Sequence, residues 1–163
     1  MKAAATGFRS TLFLAALTLF VIALSLPGSL REAFERGGLY LFSREFLEDI
    51  PLRLTGPGRF RFLFQPAIAV LLGVAAGRSD ARAGKPPYFS ALLFHGNERG
   101  ALLRSSIESI ANLLLMGILL DSVCQWLILR ASYPGAALVV GPVLIGVPYA
   151  VARTLSNHRR RDD

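Results

Sequence analysis

The chain has 163 residues, of which 53% are apolar and only 18% charged, and its mean hydropathy is +0.47. A soluble domain of this length needs more polar surface to cover its core, so a wholly aqueous fold is excluded. The formal net charge of +7 does not mark a nucleic-acid binder, because the basic residues gather at the ends of apolar blocks instead of forming one stripe with aromatics.

The first apolar block is Thr11 to Leu26, preceded by Lys2 and Arg9 and expected to stop at Pro27-Gly28. The same residues allow a second reading, a secretory signal peptide cleaved after the small residues around Ala23-Leu24-Ser25. Residues 28–60 are too apolar for a plain linker. Leu39, Phe42, Phe46, Leu47 and Ile50 recur at helical spacing, with Arg44, Glu45, Glu48 and Asp49 on the other face. This pattern predicts an outer interfacial amphipathic helix, packed on the bundle or docking a partner. Thr55-Gly56-Pro57-Gly58 then turns the chain.

The second block, Phe62 to Gly77, is short against the roughly 20 residues that a crossing needs. Its start extends to Phe60, with Arg59 and Arg61 expected to snorkel to the interface and Pro66 tolerated near the helix start. A basic loop follows, Gly77 to Phe89. Its Gly84-Lys85 pair does not make a phosphate loop, because six residues separate Gly77 from Gly84 and Pro86 stands where a Ser or Thr is needed. Asp80 is expected to pair with Arg82 or Arg78, and Pro86-Pro87 to stiffen the chain before Tyr88 and Phe89 re-enter the interface. Two readings stand side by side. One is a positive-inside anchor with an aromatic belt; the other is a docking surface built on Asp80, Arg82, Lys85 and Tyr88.

Arg59-Phe60-Arg61-Phe62, Gln65-Pro66, Leu72-Gly73, Asp80-Ala81-Arg82 and Gly84-Lys85-Pro86-Pro87-Tyr88 resemble a family of small bacterial integral membrane proteins. The resemblance covers residues 59–88 well and the other spans loosely. It implies a membrane address and a bacterial source, and it carries no activity with it.

From Glu98 the chain runs without a breaker to Arg130, so one long helix is expected, its first turns skimming the inner interface before the third span at 110–130. Asp121 lies within that span, with Gln125 one turn on and Gly117 one turn back on the same face, and Asn112 on the opposite side. A carboxylate inside a spanning helix faces protein or water rather than lipid. The fourth span, 136–153, is interrupted by Gly141-Pro142, Gly146 and Pro148-Tyr149. Its Tyr149 is placed to reach Asp121 if the two spans are neighbours. Asp121, Gln125 and Tyr149 therefore form the candidate intramembrane polar site, read either as helix glue or as a proton- or cation-responsive centre.

Basic residues orient the chain. With the N-terminus inside, 11 lie on the cytoplasmic side and 7 (Arg31, Arg36, Arg44, Arg53, Arg59, Arg61, Arg130) outside. A second block that dipped and returned would leave 3 inside and 15 outside, so four full spans are expected, at about 11–26, 60–77, 110–130 and 136–153, with both termini cytoplasmic. The fold class is an all-α membrane protein forming a single integral domain over 1–163.

No enzyme signature emerges. His95 and His158 have no metal-ligand spacing, and Ser105, Ser106 and Ser109 have no histidine at a fixed interval. Cys124 is the one cysteine, so no intramolecular disulfide forms. No cofactor is expected. The expected partners are the bilayer and either another membrane protein or further copies of the chain. The leading reading is an accessory or scaffold subunit of a bacterial inner membrane, and the alternative is a small transporter or channel component. A scaffold is expected to tolerate Asp121→Asn, and a proton-coupled site to lose its pH response.

Overall fold

The computed structural model describes the backbone of residues 2–94, 96 and 99–159, and the side chains of 10–41, 43–94, 96 and 99–158. The His95 reading, the Glu98 helix start and the tail arginines Arg160 and Arg161 lie outside these residues. The described residues hold helices and turns and no strand. They form α1 (Lys2–Arg36), α2 (Arg44–Glu48), α3 (Ile50–Thr55), α4 (Arg61–Arg82), α5 (Tyr88–Phe94), α6 (Arg99–Leu129) and α7 (Pro134–Arg159). Four of these, α1, α4, α6 and α7, are long and apolar enough to cross a membrane.

The four long helices alternate in direction. Thr18 of α1 lies against the Leu115 carbonyl of α6, and Glu32 accepts from the Tyr133 hydroxyl just beyond α6, so α1 and α6 run parallel. Gly73 and Gly77 of α4 face the Tyr149 and Arg153 carbonyls of α7, so those two also run parallel. The start of α1 and the end of α7 therefore lie at the same face of the bundle.

Small residues decide which helices touch. Ala69, Gly73 and Gly77 are spaced by four on one buried face of α4, and a Cβ at either glycine would strike α7 backbone. Gly117 and Gly141 likewise bring α6 and α7 together: a Cβ on Gly141 would stand 2.9 Å from the Gly117 carbonyl carbon, and one on Gly117 would meet the Ile145 side chain. Close backbone approach of this kind replaces the hydrophobic drive that lipid removes. The large apolar side chains instead point outward: Phe13, Phe20 and Leu24 of α1 and Leu63 and Leu71 of α4 are all exposed.

Several helix boundaries differ from expectation: α4 runs on to Arg82 through the start of the expected loop, α7 reaches Arg159, and the two largest differences lie in and after α1. α1 does not stop at Pro27-Gly28 but continues to Arg36. Proline removes a single backbone bond, whereas ending the helix inside lipid strands several groups at once. Its 35 residues measure about 52 Å at 1.5 Å per residue, so it overruns the hydrocarbon. The overrun carries Arg31–Glu35 and Arg36–Glu32 pairs one turn apart.

The segment after α1 is also not one helix. Residues 40–42 make a 3₁₀ turn, Ser43 caps α2 by accepting from the Phe46 N–H at 3.2 Å, and α2 ends before Asp49. Pro51 falls in the first turn of α3, where its ring is tolerated only at a fresh helix start. That break separates the two halves of the amphipathic pattern.

Candidate functional site

The largest fully buried side chains are Arg153, Tyr149, Ile145, Gln125, Asn157 and Asp121, five of them polar. The five polar ones fall into two clusters, one at each end of the bundle.

The first is built on Asp121, which is 1% exposed two turns from the end of α6. Arg61, on the first turn of α4, pairs with its Oδ1. Arg53 of α3 reaches the same oxygen at 3.4 Å and donates to the Tyr40 hydroxyl at 3.2 Å. Gln125 donates to Asp121 Oδ2 and accepts the Tyr133 N–H at 2.7 Å, tying α6 to the start of α7. Tyr40 stacks on Tyr133 with ring centroids 3.6 Å apart, and its hydroxyl donates to Asp49 at 2.6 Å. The Tyr133 hydroxyl donates to Glu32 of α1 at 2.9 Å. α3, α4 and α6 thus meet at one carboxylate, and the stacked tyrosines tie that meeting point to α1.

Burial pushes the Tyr133 phenol up to about 12, and its bond to Glu32 adds to the rise. Burial and the Asp49 carboxylate likewise push the Tyr40 phenol above its ordinary range. Both rings are held as neutral donors.

Arg153 organises the second cluster from late in α7. Its Nε donates to Asp80 Oδ2 at 2.6 Å, and its Nη1 donates to Ser106 at 2.9 Å and to the Tyr149 hydroxyl at 3.1 Å. The guanidinium also lies 4.9 Å from the Tyr88 ring centroid. One turn on, Asn157 donates to the Lys85 and Pro86 carbonyls at 3.2 and 3.1 Å and so fastens the loop to α7. Gly84 makes that loop possible. It takes φ +67 where α4 ends, the Lys85 N–H returns to the Asp80 carbonyl at 3.0 Å, and the Gly84 N–H returns to Ala81 at 3.1 Å. That pair of bonds is a Schellman closure, which favours glycine at its left-handed position.

The sequence-predicted residues sort differently from expectation. Asp121 and Gln125 meet, but Tyr149 does not join them; it belongs to the Arg153 cluster at the other end. Ala69, Ile110 and Ile145 form, with the Tyr149 ring, an apolar layer between the two clusters. Asp80 pairs with Arg153, with Lys85 at 3.8 Å, rather than with Arg82 or Arg78. Of the four residues read as a docking loop, Asp80 and Tyr88 are buried and only Arg82 and Lys85 are exposed. Arg61 does not snorkel: it is 7% exposed, because a buried carboxylate offers a partner closer than the interface.

Sequence reading missed Arg53, Arg61, Arg153, Ser106 and Asn157 as site residues. For Arg153 a signal was present, since it stands one turn after Tyr149 and one turn before Asn157 along an unbroken helical pattern. No group of three or more His, Cys, Asp or Glu side chains among the described residues is placed to hold a metal. No protein-family model, curated protein or solved structure matches the chain.

Proposed function

We propose that this chain is an accessory or scaffold subunit of a bacterial inner membrane, with its first span retained and both termini cytoplasmic, acting by association with another membrane helix. The observation that carries the reading is a groove of about 510 Å³ between α1 and α6. Ser25, Gly28 and Ser29 line one wall, and the exposed Trp126 stands on the other. Small side chains at helical spacing let another backbone come close, and an exposed Trp supplies contact area.

Orientation draws support from the ion pairs. Discounting the three arginines buried against carboxylates, Arg53, Arg61 and Arg153, the basic count becomes ten against five in favour of cytoplasmic termini. Transport is the weaker reading. The Asp121 carboxylate is already engaged by two arginines and an amide, and an apolar layer separates it from the other cluster.

A photo-reactive residue placed at Ser25 tests the association. In native membranes it should give one discrete protein adduct, which Gly28→Leu abolishes by filling the groove, while the same probe at Phe13 gives only lipid adducts. Lipid adducts alone from both positions would overturn the reading. An intact-mass measurement of the purified protein checks that the first span is retained.

A further inference from the structure

The groove between α1 and α6 carries both halves of a contact on one surface. Its α1 wall is small, built on Ser25, Gly28 and Ser29. Its α6 wall holds Trp126, 56% exposed, whose indole N–H has no acceptor among the described residues. A benzene-sized ring needs only about 150 Å³, so a groove of about 510 Å³ takes an indole with space to spare.

Hydrogen bonding is divided between the same two walls. Ser25 and Ser29 donate to the Val21 and Leu26 carbonyls at 2.8 and 3.1 Å, so what remains on each hydroxyl is acceptor capacity. An indole N–H inside a membrane needs an acceptor. Charge is divided too. Arg130, just past the end of α6, lines the groove, is exposed and makes no ion pair among the described residues. Glu32, on the α1 side, meets Arg36 and Tyr133 through Oε1 alone, which leaves Oε2 without a partner among the described residues.

Depth selects the occupant. Thr18 lies beside Leu115 and Glu32 beside Tyr133, so Trp126 stands level with the two serines and Arg130 close to the level of Glu32. Copies of one chain share an insertion direction, and a two-fold axis along the membrane normal brings together only groups at one depth, each pair twice. Such an axis sets Trp126 of each copy against the serines of the other, and each Arg130 against the other's Glu32. A groove with one kind of wall, or one sign of charge, would not close on itself this way. α1 gains most from the pairing, because it is the least buried of the four spans and packs chiefly on α6.

Resting on the association proposed for this groove, we propose that its occupant is a second copy of the chain, the two copies exchanging Trp126 across a two-fold axis.

The test uses the full chain, purified and reconstituted alone in vesicles as a mixture of isotopically heavy and light copies. A photo-reactive residue at Leu24 lines the groove and leaves the serines in place. The expected product is a heavy–light adduct joined within residues 122–130 of the other copy. Energy transfer between labelled copies, read against the ratio of protein to lipid, should show Trp126→Ala and Arg130→Glu each pairing at least tenfold more weakly. Both positions are exposed, so the fold of the single chain is kept. Arg130→Lys, and Phe13→Ala outside the groove, should pair like the parent. Lipid adducts alone in the vesicles, beside a discrete adduct of another mass in native membranes, would leave the association standing and overturn the second copy. Lipid adducts alone in both would overturn both. Pairing unmoved by Trp126→Ala would overturn the exchange.

Discussion

The Nε of Arg153 donates to Asp80 Oδ2 at 2.6 Å, joining the last turn of α4 to α7 across 73 positions of sequence. Both side chains are buried, so removing one partner leaves the other as an uncompensated charge. Asp80→Asn and Arg153→Met should each lower stability by about 3–5 kcal/mol. The charge-reversed double variant should recover part of that loss. Thermal unfolding in mild detergent measures all three, and single variants as stable as the parent would mean the pair is not closed.

The parallel contact of α4 and α7 makes its own prediction. A Cβ at Gly73 or Gly77 meets backbone rather than a movable side chain. Gly73→Ala and Gly77→Ala should therefore cost about 1–3 kcal/mol each, the range for overpacking. Gly146 of α7, where an added Cβ would meet nothing within 4 Å, is the control. There, alanine should be neutral or stabilising by up to about 1 kcal/mol, since helix propensity alone is in play. Unfolding midpoints of the three variants decide it.

Asp121→Asn changes meaning with its partners known. Judged from sequence, a scaffold tolerates so small a change. With Arg53 and Arg61 both against the carboxylate, asparagine strands two guanidinium groups, so a loss of about 3–5 kcal/mol is expected whatever the chain does. Adding Arg61→Met should restore part of it. Resistance to proteolysis in native membranes reads the effect, and a fully stable Asp121→Asn would show that neither arginine depends on that charge.

Alkaline titration isolates the two stacked tyrosines. The Tyr133 phenol is raised from 10.0 to about 12, and Tyr40 is raised as well, both first by burial. The folded chain thus keeps protons that the unfolded chain has released. Stability from Tyr133 is full below pH 10 and is lost as the pH climbs from 10 to about 12. Tyr133→Phe should flatten the fall in that window, and tyrosinate absorbance should show late-titrating phenols that disappear on unfolding.

Four apolar helices were legible because lipid imposes blocks that composition reveals directly. The Asp121–Gln125 contact was legible for a similar reason: residues four apart on a helix share a face whatever surrounds them. Arg53 and Arg61 were not, since their partner lies in another helix and an arginine beside an apolar block ordinarily points to water. Tyr149 was assigned to Asp121, but its hydroxyl accepts from Arg153. The fourth span does pack beside the third, but Tyr149 lies level with Ile110, far below Asp121, and sequence gives adjacency without height. The loop shows the limit most plainly. Asp80, Arg82, Lys85 and Tyr88 read as one surface, yet Gly84 closes the helix so that Asp80 and Tyr88 turn inward while Arg82 and Lys85 stay outside.

The alternating directions of the long helices also set an order of assembly. A chain entering the bilayer from its N-terminus places Arg53 and Arg61 before Asp121 is made, so the costly acid enters beside cations already at the boundary. Asp80, Tyr88 and Ser106 likewise precede Arg153. α4 and α7 become neighbours only when the final helix inserts, and its arginine then closes a receptor assembled by everything synthesised earlier. A nascent chain halted after α6 would hold Asp121 with Arg53 and Arg61 and leave Asp80 and Ser106 without their arginine.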